Sequence, residues 1–275
     1  MKDVKVAVVC MRSRPGKIEE NLKKTAYFLQ EAARAEADLV CFPELSLTGY
    51  VLDDPGKILA PSRSGDLVKE VARLAREYEV GVLAGTIEWG EEGPFISHVL
   101  ADSEGIVGIH RKTHLSPPEK AAYVPGERIR VFPFSKATLG VELCYEAHFP
   151  EISTLLALKG AEILFIPHAS PGGSPVEKAE SWLRHLTARA FDNGAFVVAC
   201  NQVGKGEEGL VFPGVALALN PAGRVIRRFE GEGETLMTVE LRERDLQEVR
   251  GHRMKYFLPH RRAELYEALW RGKKG

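Results

Sequence analysis

The sequence predicts an α/β fold built from mixed β-sheets. Strand patterns and amphipathic helix patterns alternate along the 275 residues, which is typical of sheets flanked by helices. Hairpins occur among the crossover helices, so the sheets should contain antiparallel as well as parallel pairs. Strands such as 4–9 and 163–166 are apolar on both faces and are therefore expected to be covered on both sides.

The predicted strands are short runs rich in apolar and β-branched residues. Two connections are hairpin turns, at residues 103–104 and 220–223, where Ser-Glu and Asn-Pro-Ala-Gly interrupt the apolar pattern. In chain order the strands are 4–10, 38–42, 80–88, 95–102, 105–111, 130–134, 138–143, 162–166, 195–201, 215–219, 224–229 and 235–241.

The predicted helices carry apolar residues at intervals of three and four positions, which places these residues on one face. In chain order the helices are 18–35, 66–78, 150–159, 176–192 and 262–271. The apolar stripe of the first helix is predicted to comprise Ile18, Leu22, Ala26, Leu29 and Ala33. That of the second is predicted to comprise Leu67, Val71, Leu74 and Tyr78.

Composition limits the possible functions. No linker or shift in composition divides the chain, so residues 1–275 are expected to form one domain. The net charge is −1, with 37 basic and 38 acidic residues, which gives no indication of a nucleic-acid partner or a basic membrane patch. No apolar run approaches the ~20 residues of a membrane span, and the chain enters a strand directly at its start. The basic end, residues 271–274, is interpreted as a solvated tail.

The cysteines fall into two groups. Cys10, Cys41 and Cys200 end apolar strand patterns and are predicted to be small buried residues. Without a C-x-x-C pair, the chain is expected to be a reduced, cytoplasmic protein. Cys144 is different, because it lies between an apolar strand and a helix pattern, where outward-pointing backbone N–H groups favour negative charge. A cysteine at such a turn is a candidate nucleophile.

Two further strand ends carry charged residues. Glu44 lies in the segment Phe-Pro-Glu-Leu-Ser-Leu-Thr-Gly-Tyr, and Lys112 lies in His-Arg-Lys-Thr-His-Leu. A thiol is mostly protonated at neutral pH and needs a base or a nearby cation to attack a carbonyl or nitrile carbon. Glu44 could serve as that base, while Lys112 and the backbone N–H of Tyr145 could stabilise the oxyanion. This chemistry requires no metal and no cofactor.

Each of these residues alone also has a structural interpretation, as a turn carboxylate, a solvated strand end or a buried thiol. Together, with their flanking sequences, they resemble the motifs of the nitrilase, or carbon–nitrogen hydrolase, superfamily, in its amidase-like branch, from about residue 4 to 266. The resemblance implies a four-layer α-β-β-α sandwich and a Glu-Lys-Cys catalytic set. It also implies a second glutamate, Glu119, before an aromatic-x-Pro-Gly run, and a role for residues 201–204 in supporting the site.

The resemblance implies a small linear amide as substrate, cleaved through a thioester. Tyr145 stands where nitrilases tend to have tryptophan, which favours an amide over a nitrile; an N-carbamoyl substrate stays open. His148 replaces an arginine found in many amidases, and His168 stands where an aromatic residue is frequent. These two histidines, with Tyr50 and Tyr145, are the predicted oxyanion- or substrate-binding residues.

The sequence also allows other interpretations. His110 and His114 straddle a strand end, so a metal pair is not expected. A non-catalytic binding module would be expected to lack one of the three motif residues, and acyl transfer to an amine is a further alternative. The family usually assembles as dimers or larger oligomers, which here would use residues 151–159 and the tail, residues 251–275.

Overall fold

The computed structural model describes residues 1–206 and 209–271, and within them two six-stranded β-sheets lie between helices. Four of the described strands are buried along their whole length, as their apolar composition predicts, at residues 39–41, 163–168, 196–201 and 214–219. In chain order the strands are β1 (Val4–Cys10), β2 (Leu39–Cys41), β3 (Gly81–Gly90), β4 (Gly93–Asp102), β5 (Gly105–Arg111), β6 (Val131–Pro133), β7 (Thr138–Val141), β8 (Ile163–His168), β9 (Phe196–Asn201), β10 (Gly204–Lys205), β11 (Val211–Phe212), β12 (Gly214–Leu219), β13 (Val225–Gly231) and β14 (Thr235–Leu241).

The helices in the described residues are α1 (Ile18–Arg34), α2 (Pro55–Ile58), α3 (Ser64–Tyr78), α4 (Pro150–Leu158), α5 (Pro175–Asn193), α6 (Glu243–Arg250) and α7 (Ala263–Arg271). Local signals mark several of their ends. α5 begins with Ser174, whose hydroxyl accepts a hydrogen bond from the backbone of Glu177, and ends at Gly194 in a left-handed conformation. A 3₁₀ turn, Cys144–His148, separates β7 from α4.

Both sheets are mixed and share one pattern of pairing. The first has the order β14-β1-β2-β3-β4-β5, and the second has the order β13-β12-β9-β8-β7-β6. In each sheet three consecutive strands run parallel, namely β1, β2 and β3 in the first and β7, β8 and β9 in the second. Antiparallel strands complete both sheets on either side, as the predicted hairpins required.

The core is divided into three layers of buried side chains. The middle layer joins the inner faces of the two sheets and includes Val8, Leu83, Phe165 and Val198. A second layer packs α1 and α3 onto the outer face of the first sheet, and a third packs α4 and α5 onto the second. This arrangement is a four-layer α-β-β-α sandwich, and the predicted fold is confirmed.

All five residues of the apolar stripe predicted for the first helix pack against the core, but polar residues are buried beside them. Leu22, Ala26 and Ala33 are only partly buried, whereas the polar residues Asn21 and Thr25 are buried. The Asn21 amide donates hydrogen bonds to the carbonyl oxygens of residues 14 and 47, which offsets the cost of burying it. The predicted stripe did not include Asn21 and Thr25, because hydrophobicity alone does not reveal a polar residue that is buried to hold a neighbouring loop.

Some short elements gave no sequence signal. The two-residue strands β10 and β11, the single-turn helix α2 and the mostly polar helix α6 were not predicted. Their apolar periodicity is too short or too weak to detect. Among the described residues no helix is long and apolar enough to cross a membrane. Of the predicted basic end, residues 272–274 lie outside the described residues.

Candidate active site

Three strand ends bring the motif residues together. Glu44 lies on a turn after β2, Lys112 directly follows β5, and Cys144 lies three residues after β7. The first two strands belong to one sheet and the third belongs to the other. The site therefore lies where the two sheets meet, which the chain order of the motifs does not reveal.

Lys112 is the centre of a buried ion-pair group. Its side chain is fully buried, and its Nζ donates to Glu44 Oε1 at 2.7 Å and to Glu119 Oε1 at 2.8 Å. Burial disfavours the ammonium form, but Glu44, Cys144 and Glu119 outweigh it and raise the Lys112 pKa above its usual range. The lysine is a fixed cation at neutral pH.

Glu44 is held at both carboxylate oxygens and at its backbone. Its Oε2 accepts a hydrogen bond from the Ala169 backbone N–H at 3.0 Å, and its carbonyl oxygen accepts one from Gln202 Nε2 at 2.8 Å. Burial raises the Glu44 pKa to about 7, with Lys112 opposing the shift and Glu119 adding to it. A carboxylate with this pKa can both accept and return a proton near neutral pH.

The turn that carries Glu44 fits against β3 because Gly85 has no side chain. Leu47 N–H donates to the Gly85 carbonyl oxygen at 2.9 Å, and Gly85 N–H donates to Ser46 Oγ at 3.0 Å. A Cβ atom at position 85 would lie 2.2 Å from the Leu45 backbone nitrogen. Leu45 itself has a positive φ of 53°, so the turn is tightly constrained.

Cys144 occupies a strained position at the start of the 3₁₀ turn. Its φ is 44°, in the left-handed region that residues other than glycine rarely adopt. Burial raises the pKa of its thiol, and Glu44 and Glu119 raise it further, while Lys112 acts in the opposite direction. The resting thiol is therefore protonated, and attack on a substrate requires a base.

Glu119 links the lysine to a neighbouring loop. Besides Lys112, its Oε1 accepts a hydrogen bond from the Tyr50 hydroxyl at 3.2 Å, and its Oε2 accepts one from the Ser116 backbone N–H at 2.7 Å. The structure thus brings Glu119 and Tyr50 into the group formed by Glu44 and Lys112. The hydroxyl of Tyr50 donates its hydrogen bond to Glu119, so Tyr50 supports that carboxylate.

The other predicted binding residues differ in position. Tyr145 is half-buried, and its ring contacts the rings of His148 and Phe149 at 5.7 and 5.4 Å. His148 is largely exposed. Partial desolvation and the nearby charge of Arg189 lower its pKa, so the neutral form is favoured at neutral pH. His168 is buried, with its ring stacked on Trp182 at 4.0 Å and its Nδ1 2.7 Å from the Ile166 carbonyl oxygen.

Glu146 and His110 were not predicted as site residues, although each lies two residues from a motif residue, Cys144 and Lys112 respectively. Glu146 is fully buried and accepts hydrogen bonds from the Leu143 and Thr113 backbone N–H groups at 2.6 and 2.8 Å. Its Oε2 lies 2.8 Å from His110 Nε2. Burial alone would raise the Glu146 pKa, but His110 and these hydrogen bonds lower it to about 2. The carboxylate therefore joins the turn of Cys144 to the strand of Lys112.

Other histidines and cysteines have local contacts. His114 Nδ1 lies 2.8 Å from Thr113 Oγ1, which is a local hydrogen bond. Cys10, Cys41 and Cys200 are buried and free, as predicted, and the sulfur atoms of the last two are 3.9 Å apart. In the parts of the chain that the structure describes, no cluster of three or more His, Cys, Asp or Glu side chains could hold a metal.

Comparison with known proteins gives consistent matches along the chain. The sequence model described as carbon–nitrogen hydrolase matches residues 5–251. The (R)-stereoselective amidase of a Pseudomonas species is 34% identical over 266 residues, covering 95% of this chain and 93% of that protein. The N-carbamoylputrescine amidase of Oryza sativa subsp. japonica is 27% identical, covering 96% and 94% respectively.

A solved structure also matches. A variant of the amidase from Nesterenkonia sp. AN1 has a TM-score of 0.82 and 27% identity, with 96% of each chain covered. In that structure the acetamide moiety of fluoroacetamide is covalently added to the active-site cysteine. The similarity extends across both sheets, because nearly the whole chain is aligned.

Proposed function

Because the chain belongs to the carbon–nitrogen hydrolase family, we propose that Cys144, Glu44, Lys112 and Glu119 are its catalytic residues. The protein is a cysteine-dependent amidohydrolase that cleaves a non-peptide C–N bond of a small linear amide through a thioester, releasing ammonia or an amine. The observation that carries the assignment of residues is the buried ammonium of Lys112 between two carboxylates, near a thiol on a left-handed turn.

Acylation begins with proton transfer. Glu44 accepts the thiol proton of Cys144 as the sulfur attacks the amide carbonyl carbon, which gives a tetrahedral intermediate with a negative oxygen. The Lys112 ammonium and the Tyr145 backbone N–H stabilise this oxygen. Protonated Glu44 then gives its proton to the nitrogen, the C–N bond breaks, and ammonia or an amine leaves the thioester.

Deacylation uses the same residues. Glu44 accepts a proton from water as the water oxygen attacks the thioester carbonyl carbon, and a second tetrahedral intermediate forms. When it collapses, the C–S bond breaks and the proton returns to the sulfur, which releases a carboxylic acid. Glu119 keeps Lys112 in place throughout, and Tyr50 keeps Glu119 in place.

A second candidate is the hydrolysis of an N-carbamoyl amine or amino acid. The similarity to an N-carbamoylputrescine amidase favours it. The same attack on a ureido carbonyl would release ammonia and leave a carbamoyl thioester; its hydrolysis would give a carbamic acid, which breaks down to carbon dioxide and the amine. A nitrile is the third option, since the sulfur can also attack a nitrile carbon.

The test is ammonia release from matched amides, N-carbamoyl compounds and nitriles by the wild type and by Cys144→Ala. We expect the amides to give the fastest release and Cys144→Ala to lose it by a factor of about 10³ or more while staying folded. Cys200→Ala is the matched control, since it removes a buried thiol that we place outside the mechanism. Full activity in Cys144→Ala would overturn the assignment of the nucleophile.

The protein is also proposed to be a cytoplasmic homodimer or larger homo-oligomer. The three buried cysteines are free, as in a reducing compartment. α4 exposes Leu155 and Leu158, and the tail exposes further apolar side chains, which a second subunit would cover.

A further inference from the structure

A cavity of about 480 Å³ is lined by residues that neighbour three of the proposed catalytic residues in the chain. Its lining includes Thr113, Lys120 and Tyr145, which directly follow Lys112, Glu119 and Cys144 in the chain. Three separate catalytic positions are therefore each one residue away from the same cavity. The volume is within the range of small-molecule sites, roughly 300–1,000 Å³.

Aromatic rings form one wall of this cavity. The His114 and Phe149 ring centroids are 4.4 Å apart, and the Phe149 and Tyr145 centroids are 5.4 Å apart. Tyr123 also lines the cavity; its ring is buried and its hydroxyl donates to the Val51 carbonyl oxygen at 2.9 Å. With that hydroxyl occupied, Tyr123 offers the cavity mainly its ring. Such a wall favours a flat, apolar group over a short aliphatic chain.

The charge of the cavity is one-sided. Lys120 is its exposed cation and has no ion pair with any residue that the structure describes. Among the same residues, no acidic side chain lines the cavity. His148, a predicted substrate-binding residue, does not line the cavity, so Lys120 is the cavity residue that can pair with a carboxylate.

We propose that this cavity binds the acyl group of the substrate, and that this group has an aromatic or similarly flat apolar body ending in a carboxylate. The aromatic wall packs against the body and Lys120 pairs with the carboxylate. The inference rests on the proposed function, because it assumes that the acyl group is attached to Cys144.

Hydrolysis of three primary amides provides the first test: propionamide, 3-phenylpropionamide and 3-(4-carboxyphenyl)propionamide. We expect kcat/KM to rise by about tenfold or more with the phenyl group and several-fold further with the carboxylate. Phe149→Ala should reduce the ratio of phenylpropionamide to propionamide. Lys120→Met should remove the gain from the carboxylate and keep the gain from the ring. Phe191→Ala and Lys69→Met, on α5 and α3, are controls that should keep the wild-type ratios.

Alkylation of Cys144 provides a readout that does not need hydrolysis. Iodoacetamide, iodoacetanilide and 4-(iodoacetamido)benzoate form a matched series. In the last two compounds three atoms separate the ring from the sulfur, as in the phenylpropionyl thioester. We expect the reaction rate to rise along this series and to lose the effect of the ring in Phe149→Ala.

The two readouts separate the possible failures. If any amide is hydrolysed, the ratios of kcat/KM test the inference. Equal kcat/KM values for propionamide and the ring-bearing amides then overturn the inference, while the proposed function stands. If no compound is hydrolysed in this series or in the ammonia-release panel, the proposed function fails. The ratios of the alkylation rates then test the cavity assignment. Equal alkylation rates would then overturn the cavity assignment too.

Discussion

Lys112 shows how individual residues define the chemistry of the site. One buried ammonium is shared by two buried carboxylates, so the group carries an excess of negative charge where water cannot screen it. Burial is the largest cause that raises the pKa values of both Glu44 and the Cys144 thiol; Glu119 raises both further, and Lys112 opposes both shifts. Near neutral pH, Glu44 can therefore accept a proton, and the Cys144 thiol is protonated before a substrate binds.

The first prediction concerns the pH dependence of this base. Glu44 must be ionised to accept the thiol proton, and its pKa is about 7. We therefore expect kcat/KM for an amide to fall as pH decreases below about 7, by about tenfold per pH unit. In Glu119→Gln the midpoint should move to lower pH, because a negative charge that raises the Glu44 pKa is removed. A wild-type midpoint near pH 4 would contradict this assignment.

A second prediction concerns Glu142, a fully buried carboxyl group outside the mechanism. Its Oε1 accepts a hydrogen bond from Ser153 Oγ at 2.6 Å, and its Oε2 has no partner in the described structure. Burial raises its pKa to about 8, although the Ser153 hydrogen bond opposes the shift. The protonated form is therefore favoured in the folded state, and stability is lost as pH rises from ~4.3, the usual glutamate value, to about 8.

Glu142→Gln removes this titration while keeping an acceptor for Ser153. Relative to the wild type, the variant should gain roughly 1–3 kcal/mol in the free energy of unfolding between pH 5.5 and 8.5. Urea unfolding at both pH values measures the change. An equal difference between the two proteins at both values would show that Glu142 does not titrate in this range.

At the scale of elements, the turn after β2 depends on close contact with β3. This turn carries Glu44, and its backbone exchanges hydrogen bonds with β3 at Gly85. The sequence located the turn, since Pro43 and Glu44 follow an apolar strand, but gave no sign that β3 must lack a side chain there. That requirement comes from two segments that are separated along the chain by α2, α3 and the loops around them.

The third prediction follows from this contact. In Gly85→Ala the new methyl group would meet the Leu45 backbone nitrogen at 2.2 Å, so the Glu44 turn must move. We expect a loss of roughly 1–3 kcal/mol in the free energy of unfolding and a clear decrease in kcat. Gly65→Ala is the matched control, because nothing lies within 4 Å of a Cβ atom there and the residue lies within α3. Gly65→Ala should keep kcat and slightly increase stability. Equal kcat values in the two variants would contradict the proposed dependence.

The molecule as a whole is organised by the meeting of two similar sheets. Each contributes parallel strands whose ends reach the site: β2 brings Glu44, and β7 brings Cys144. Glu146 then connects the Cys144 turn to the Lys112 strand across the boundary between the sheets. Any movement of one sheet relative to the other would separate Glu44 from Cys144.

The fourth prediction concerns assembly. α4 exposes 41% of Leu155 and 55% of Leu158, which are apolar side chains on a helix next to the nucleophile turn. If a second subunit covers them, the wild type elutes from gel filtration as a dimer or larger, and the double variant Leu155→Glu/Leu158→Glu elutes as a monomer. Ile106→Glu, at an exposed position on the first sheet, is the control and should keep the wild-type size. A monomeric wild type would overturn the proposed assembly.

The sequence by itself determined the α/β architecture, the chain order of most elements, and the motif residues Glu44, Lys112, Cys144 and Glu119. Apolar periodicity and strand-end chemistry, which are local properties of the chain, indicated the fold class and the positions of Glu44, Lys112 and Cys144, whereas Glu119 came from the resemblance to the family's motifs. As site residues these four stay predictions, but their contacts agree with the roles assigned to them.

Tertiary structure decided the properties that depend on distances through space. Lys112 meets Glu44 across 68 positions of sequence, and the Ala169 backbone meets Glu44 across 125. The pKa of Glu44, the left-handed turn at Cys144 and the bridging position of Glu146 all arise from such encounters. A pattern read along one chain contains no such distances, because burial and electrostatic coupling exist only after the two sheets have packed together.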